Sequence, residues 1–144
     1  MKQQKARNTF LTLLIPILIL LYTFFGGSVG ISLDFGEEAL AISAEKQDWN
    51  IPYDQIISLE LADAADFGVP LNSTEKRTMH YGSYENDSWG QYNLCIDPRI
   101  ETCIVIETTN GFFVLNYENE ESTQQLYIMF TQLLASKTDA VPTV

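Results

Sequence analysis

The chain has 144 residues and a formal net charge of -11, which allows one domain of ordinary size and a short additional segment. The charge is uneven. Lys2, Lys5 and Arg7 stand at the start without an acidic residue, whereas residues 31–144 contain 5 basic and 19 acidic residues, a net charge of -14. A domain this acidic repels phosphate backbones and anionic lipid head groups, so nucleic acid is excluded as an expected partner.

The basic start "MKQQKARN" is followed by an uncharged apolar run, "TFLTLLIPILILLYTFF". No charged residue occurs between Arg7 and Asp34, and about 20 apolar residues are enough for a helix to cross a bilayer. A soluble core helix would show a polar face, which this run lacks. We therefore predict a short cytoplasmic segment at residues 1–8 and a transmembrane helix at residues 9–30. The protein would be a single-pass cell-membrane protein with its C-terminal domain outside the cytoplasm.

A cleaved export signal is the alternative interpretation of the same run. The small residues of "SVG", which end at Gly30, suit a signal-peptidase site. The run is a little longer than the apolar core of a usual signal peptide, roughly 7–15 residues, and this favours an uncleaved anchor. Cleavage near Gly30 would instead release a secreted binding domain. Both interpretations predict that the C-terminal domain is exported.

Beyond Gly30 the apolar residues alternate with polar ones, which is typical of half-buried strands. Segments of this kind are "ISLDF", "ALAIS", "WNIPY", "IISLEL", "MHYGSYENDSWGQYNLCI", "CIVIETT" and "FFVLNY". Asn110-Gly111 predicts a two-residue hairpin turn before the last of them.

Residues 62–77 lack this periodicity, and we predict a long loop that is functional or mobile. Within it, Phe67, Val69 and Leu71 are candidate contacts for a partner. Tyr84 and Trp89, near the turn signal Asn86-Asp87, form a second candidate interaction surface, for which core packing is the structural alternative.

The two cysteines lie in "NLCIDPRIETCIV". A symmetric hairpin centred on Arg99 would place Cys95 opposite Cys103, with Cβ atoms about 4.5–5.5 Å apart. A disulfide needs about 3.8 Å, so closure would take a modest adjustment, and export would permit the oxidation. The hairpin is our prediction. A Cys95–Cys103 disulfide and two reduced thiols both remain open.

The C-terminal part changes to helical spacing. Asn119, or alternatively Ser122, can cap a helix over residues 120–136, and residues 138–144 are predicted to be a disordered tail. The apolar stripe consists of Leu126, Met129, Phe130, Leu133 and Leu134. Strands followed by one amphipathic helix predict a mainly β domain over residues 31–137. We expect a small, bent antiparallel barrel or sandwich of about seven strands, capped by the helix.

This layout resembles the bacterial pleckstrin-homology families. The resemblance covers residues 31–136 and is carried by "WNIPYDQIISLEL", the paired "GSY" and "GQY", and "IVIETTNGFFVLNYENEESTQQLYIMF". It implies a bent antiparallel sheet closed by a helix, used for binding or assembly rather than catalysis. Phosphoinositide binding is not expected, because Glu37 and Glu38 stand where lipid-binding members carry basic residues. Two carboxylates there would repel a phosphorylated head group.

Catalytic patterns are weak throughout the sequence. His80 is the only histidine, and an ordinary strand role suits it better than a Ser-His-Asp or Cys-His site. Two cysteines without a nearby histidine do not predict a metal site, and no glycine-rich phosphate loop is present. A hydrolase that uses dispersed carboxylates is a third alternative. We predict a membrane-anchored, non-enzymatic module that binds another protein, with no catalytic residue, metal or cofactor.

Overall fold

The computed structural model of the chain describes residues 30–63 and 66–139. The predicted cytoplasmic segment and the predicted transmembrane helix, apart from Gly30, lie outside the described residues, and so do residues 140–144 of the predicted tail. Among the helices that the structure describes, none has the length and apolar character needed to cross a bilayer.

A mainly β domain with one C-terminal helix is confirmed. The described strands are β1 (Ile31–Phe35), β2 (Ala39–Ala44), β3 (Gln47–Pro52), β4 (Ile56–Asp63), β5 (Val69–Lys76), β6 (Met79–Asn86), β7 (Gly90–Ile96), β8 (Thr102–Thr108) and β9 (Gly111–Leu115). A single 3-10 turn, Tyr53–Gln55, joins β3 to β4, and the helix α1 covers Glu120–Asp139. These nine strands exceed the expected number of about seven, and α1 continues beyond residue 136 into the predicted tail.

One strand that the sequence pattern did not predict is β5, which lies in the predicted loop. It occupies an edge of its sheet and pairs only with β6 among the described strands. Its first four residues are exposed on both faces, so it has no alternation of apolar and polar positions for a sequence pattern to detect. For this physical reason the loop prediction is wrong over Val69–Lys76.

The strands form two sheets. The first is an antiparallel meander in the order β1-β2-β3, and the second has the order β4-β8-β9-β7-β6-β5. Neighbours in the second sheet are antiparallel except β7 and β9, which are parallel from the pair Asn93 and Phe113 to the pair Cys95 and Leu115. The expectation of a purely antiparallel sheet is therefore wrong at one pair.

The predicted hairpin between β7 and β8 is also wrong, because β9 lies between these two strands. In β9, the consecutive residues Phe113, Val114 and Leu115 are all buried. In β8 the residues from Thr102 to Ile106 are all buried as well. Strands buried on both faces belong in the interior of a sheet rather than at its edge. This order gives central positions to the most apolar strands.

The second sheet buries side chains on both of its faces. On one face, a core shared with the first sheet and α1 includes Leu40, Ile42, Ile104 and Phe130. On the other face, a second cluster consists of Tyr84, Tyr92, Leu94, Ile96, Cys103, Val105 and Val114. The chain before β5 lies over this second cluster, since the Tyr92 hydroxyl donates a 2.6 Å hydrogen bond to the carbonyl of Phe67.

The helix begins as predicted from Asn119. The Asn119 Oδ1 atom accepts a 2.8 Å hydrogen bond from the backbone N–H of Ser122, which satisfies one of the free donors of the first turn. The ring of Phe130 then anchors the helix, because it meets the ring of Phe35 edge-to-face at 5.3 Å between centroids. It also meets the ring of Tyr53 at 6.4 Å. These contacts hold α1 against β1 and against the turn that precedes β4.

Candidate functional site

The five residues predicted as an interaction surface do not come together on one face. Val69 and Leu71 are 64% and 50% exposed on the edge strand β5. Tyr84 is buried, and Phe67 and Trp89 are partly buried against the second cluster. Of the five, only Val69 and Leu71 are therefore mainly exposed to solvent.

The aromatic residues have packing roles in the second cluster. The ring of Trp89 meets the ring of Tyr92 edge-to-face at 5.0 Å and stacks on the ring of Phe112 at 5.8 Å. The Tyr84 hydroxyl donates a 3.0 Å hydrogen bond to Glu75 Oε1, and burial raises the pKa of Tyr84 to about 12. These contacts close the outer face of the second sheet.

The two cysteines are free thiols that point to opposite faces of the second sheet. Because β9 separates β7 from β8, Cys95 and Cys103 lie on strands about 9.6 Å apart, beyond the Cα separation of roughly 4.4–6.8 Å that a disulfide needs. The register that suggested a disulfide is therefore wrong. Burial raises the pKa of Cys95 to about 12 and that of Cys103 to about 11, and this disfavours the reactive thiolate.

The positions of His80 and of the possible metal-binding side chains also give no indication of a catalytic or metal site among the described residues. His80 is a partly buried strand residue that pairs with Glu75 on one side and Ile96 on the other. Within residues 30–63 and 66–139, no three His, Cys, Asp or Glu side chains are grouped so that they could hold a metal ion.

A groove of about 1110 Å³ lies between β4, the β1–β2 turn and α1. Its apolar floor consists of Ile56, Leu59, Tyr127 and Leu134, which are partly buried and pack against the main core. This concavity exists because α1 packs across the core beside β4 and leaves a gap next to the edge of that strand. Small-molecule pockets usually measure about 300–1,000 Å³, so the groove is large and open by comparison.

The rim of the groove is acidic. Glu37, Glu38 and Asp54 line it, and all three side chains are exposed. Among the described residues, none of the three carboxylates forms an ion pair. Because they are exposed to solvent, they differ from the enclosed carboxyl pairs that carboxylate-dependent hydrolases use.

The turn that carries Glu37 and Glu38 is held by three successive backbone carbonyls. The carbonyl of Gly36 accepts a 2.9 Å hydrogen bond from the Tyr53 hydroxyl. The carbonyl of Glu37 accepts one from Lys137 Nζ, and the carbonyl of Glu38 accepts one from the Tyr53 N–H at 2.9 Å. With its backbone fixed in this way, the turn presents both carboxylates at the rim of the groove.

Lys137 is the basic residue of the groove, and the fold already uses its ammonium group. Besides its bond to the Glu37 carbonyl, Nζ lies 5.0 Å from the centroid of the Tyr53 ring, an arrangement that attracts a cation to the ring face. Burial, followed by the negative charge of Asp34, raises the pKa of Tyr53, so its hydroxyl remains a donor. The net electrostatic character of the groove is therefore acidic.

One side of β4 borders this groove without a strand neighbour. Among the described strands, β4 is hydrogen-bonded only to β8. From Ser58 to Asp63 the pairing is regular, and the register shifts between Ile56 and Ser58. Ile57 lies at that shift and its side chain is 61% exposed. An exposed sheet edge presents backbone donors and acceptors to any extended chain that reaches it.

The sequence reasoning did not identify this groove. The segment "IISLEL" indicated only a half-buried strand, and Glu37 and Glu38 only a turn that repels phosphate. The doublet of carboxylates was the available signal, but its partner surface on α1 is more than 80 residues away in the chain. Only the packing of the helix against β4 unites the two.

Comparisons with known proteins give no match, whether to a family model, to a curated protein or to a solved structure. The groove and the free edge of β4 are therefore the basis for inferring a function.

Proposed function

We propose that this chain is a non-enzymatic protein-interaction module that binds a partner protein through the groove between β4 and α1. In this proposal residues 9–30 anchor the chain in the cell membrane, with the folded domain on the extracytoplasmic side. The single observation that supports it most directly is the free edge of β4 beside an open groove of about 1110 Å³. A sheet edge next to a helix is a geometry that accepts an extended chain.

The side chains support binding over catalysis. The groove carries apolar floor residues and exposed carboxylates rather than an enclosed acid–base pair. Both thiols are buried away from it, and His80 lies on β6, outside the groove lining. A catalytic site would need converging reactive groups at hydrogen-bond distance.

Kinship with the bacterial pleckstrin-homology families is part of the proposal. The order of strands followed by one C-terminal helix supports it. The parallel pair of β7 and β9 departs from the antiparallel sheet that the resemblance implies. The acidic turn at Glu37 and Glu38 supports a protein partner rather than a phosphoinositide, since both carboxylates are exposed at the rim.

Site-specific photo-crosslinking in native membranes tests the module function. A photoreactive residue in place of Ile57 should give a discrete adduct with another protein. The matched control is the same residue in place of Val69, which is equally exposed at 64% against 61% but lies on the opposite edge of the sheet. Failure to form an adduct at position 57, or equal adducts at both positions, would contradict the proposal.

The membrane anchor and its orientation have a separate test. Protease added to intact cells should remove the folded domain, whereas a domain that survives until the membrane is breached would contradict the orientation. N-terminal sequencing of the mature protein distinguishes the anchored form from a secreted domain cleaved near Gly30.

A further inference from the structure

We propose that the groove binds an extended segment of the partner protein, which adds a strand to β4 and brings basic side chains to the acidic rim. This inference rests on the proposed function and specifies the chemistry of the partner. It concerns a basic, strand-forming segment, and excludes a small molecule, an anionic lipid or a second copy of this chain as the occupant.

Two other free edges among the described strands, β5 and β3, are less suited than β4 to accept a strand. In β5, Pro70 lacks a backbone donor and the register shifts between Pro70 and Asn72. In β3, Pro52 ends the strand beside the groove. Proline and register irregularities are features that protect sheet edges from pairing. β4 also has a register shift, between Ile56 and Ser58, but it contains no proline, and from Ser58 to Asp63 it offers six residues in regular register, a length of about 20 Å.

The apolar surface beside this edge suits the alternate side chains of an added strand. Ile57 is exposed at the start of the stretch, and Leu59 and Tyr127 form the floor next to it. In an extended segment every second side chain points to the same face, so apolar residues at alternate positions can cover this surface.

The negative charge of the groove indicates which residues occupy the other positions of the bound segment, those that do not face the apolar floor. Glu37, Glu38 and Asp54 stand on the rim. Lys137, the basic residue of the groove lining, offsets only one of these charges. Basic side chains that alternate with the apolar ones would be attracted to these carboxylates.

The same charges disfavour the other occupants. A second copy would bring another domain with a net charge of -14 over residues 31–144, and like charges in contact oppose association. Anionic lipid head groups would meet the same repulsion. The volume of about 1110 Å³ and the open shape suit a length of chain better than a small ligand.

Peptide binding to the full-length chain in neutral detergent micelles tests this inference. The probe is a fluorescent eight-residue peptide of alternating valine and lysine, and its counterpart replaces each lysine by glutamate. We expect the lysine peptide to bind at least tenfold more tightly. Raising the salt concentration from 50 to 500 mM should weaken it at least threefold, because salt screens exposed charges. Equal affinity of the two peptides would overturn the inference.

Matched substitutions locate the binding. Glu37→Gln combined with Glu38→Gln should weaken the lysine peptide at least fivefold. Asp87→Asn combined with Glu101→Gln makes the same change in net charge at exposed positions outside the groove lining and should change affinity less than twofold. Equal effects of the two double variants would show attraction to the overall charge alone, and the site would be wrong.

Backbone methylation tests strand addition itself. Successive N–H groups of a strand point alternately to its two sides, so only every second N–H of the bound lysine peptide would face β4. N-methylation of the peptide at that set should abolish binding, whereas N-methylation at the other set should leave the affinity within threefold. If both sets behave alike, strand addition is wrong. An adduct at position 57 without binding of the lysine peptide would refute this inference and retain the module function. An adduct at that position between two copies of the chain would refute it as well.

Discussion

The side chain of Asn116 binds both backbone groups of Asp97. Its Oδ1 atom accepts a hydrogen bond from the Asp97 N–H at 2.7 Å, and its Nδ2 atom donates one to the Asp97 carbonyl at 2.9 Å. Asp97 follows β7 and Asn116 follows β9, so the amide continues the parallel pairing of these strands with a side chain. The Nδ2 atom also donates to the Ile100 carbonyl at 3.4 Å. Asn116 thereby fixes the connection that carries the chain from β7 past β9 to β8.

Replacing this buried amide should destabilise the fold strongly. Asn116→Ala leaves the Asp97 N–H and two carbonyls without the partner they have now, and an unsatisfied buried polar group costs about 1–3 kcal/mol. We expect the free energy of unfolding to fall by about 3 kcal/mol, measured by urea denaturation followed through tryptophan fluorescence. Asn50→Ala, at an exposed position of β3, should stay within about 0.5 kcal/mol of the parent. Similar losses in both variants would refute the role of Asn116.

The ion pair in the same connection predicts a dependence on pH. The Arg99 guanidinium donates to both carboxylate oxygens of Asp97, at 3.0 and 2.7 Å. These hydrogen bonds from Arg99 lower the pKa of Asp97. A carboxyl group whose pKa is lower in the folded state stabilises the native state at pH values above its unfolded-state pKa, which is near 3.9 for aspartate. This stabilisation is lost as pH falls through the folded-state value.

Arg99→Gln should therefore be less stable than the parent at pH 7, and the difference should shrink as pH falls below about 4. Denaturation at pH 7, 5, 3 and 2 measures this difference. Arg77→Gln removes the same charge at an exposed position and serves as the control for net charge. A difference for Arg99→Gln that stays constant down to pH 2 would show that the pair does not act through the ionisation of Asp97.

The cysteines predict a contrast between the native and the unfolded chain. Thiolate is the reactive form, and burial raises the pKa of both thiols well above neutrality. We expect slow reaction of the native protein with a thiol reagent at pH 8. In denaturant without reductant, two equivalents should react rapidly, one for each cysteine of the chain. Fewer than two equivalents would reveal a disulfide or another modification that the separation of Cys95 from Cys103 argues against.

Local chemistry predicted much of this fold. The alternation of apolar and polar residues identified the strands of the first sheet, and Asn119 was correctly identified as a cap of α1. The sequence around Cys95 and Cys103 suited a hairpin because apolar and polar residues alternate in both segments, and the apolar residues of the two would face the same side if the segments paired. This alternation does not show which strand lies between them, and the three consecutive buried residues "FVL" of β9 suit that strand to the central position.

The groove, too, could not be predicted from local sequence patterns, because the residues that form it are far apart in the chain. The carboxylates of Glu37 and Glu38 were visible in the sequence, but their position beside an apolar floor depends on the packing of α1, whose Lys137 binds the Glu37 carbonyl from one hundred residues further along the chain. No local pattern contains that contact. Edge strands are also hard to predict from sequence. The first four residues of β5 are all exposed, so neither face of the strand requires apolar residues at alternate positions there.

The central place of β9 also determines when the domain can fold. In the second sheet β9 alone joins the pair of β4 and β8 to the group of β7, β6 and β5. A growing chain that has reached only Asn110 can form two separate sheets, β4 with β8 and β7 with β6 and β5. The apolar margins of these sheets, β8 and β7, stay unpaired until β9 is present. The complete core can form only after the residues from Gly111 onward have been synthesised, and until then these margins are exposed to chaperones and to aggregation.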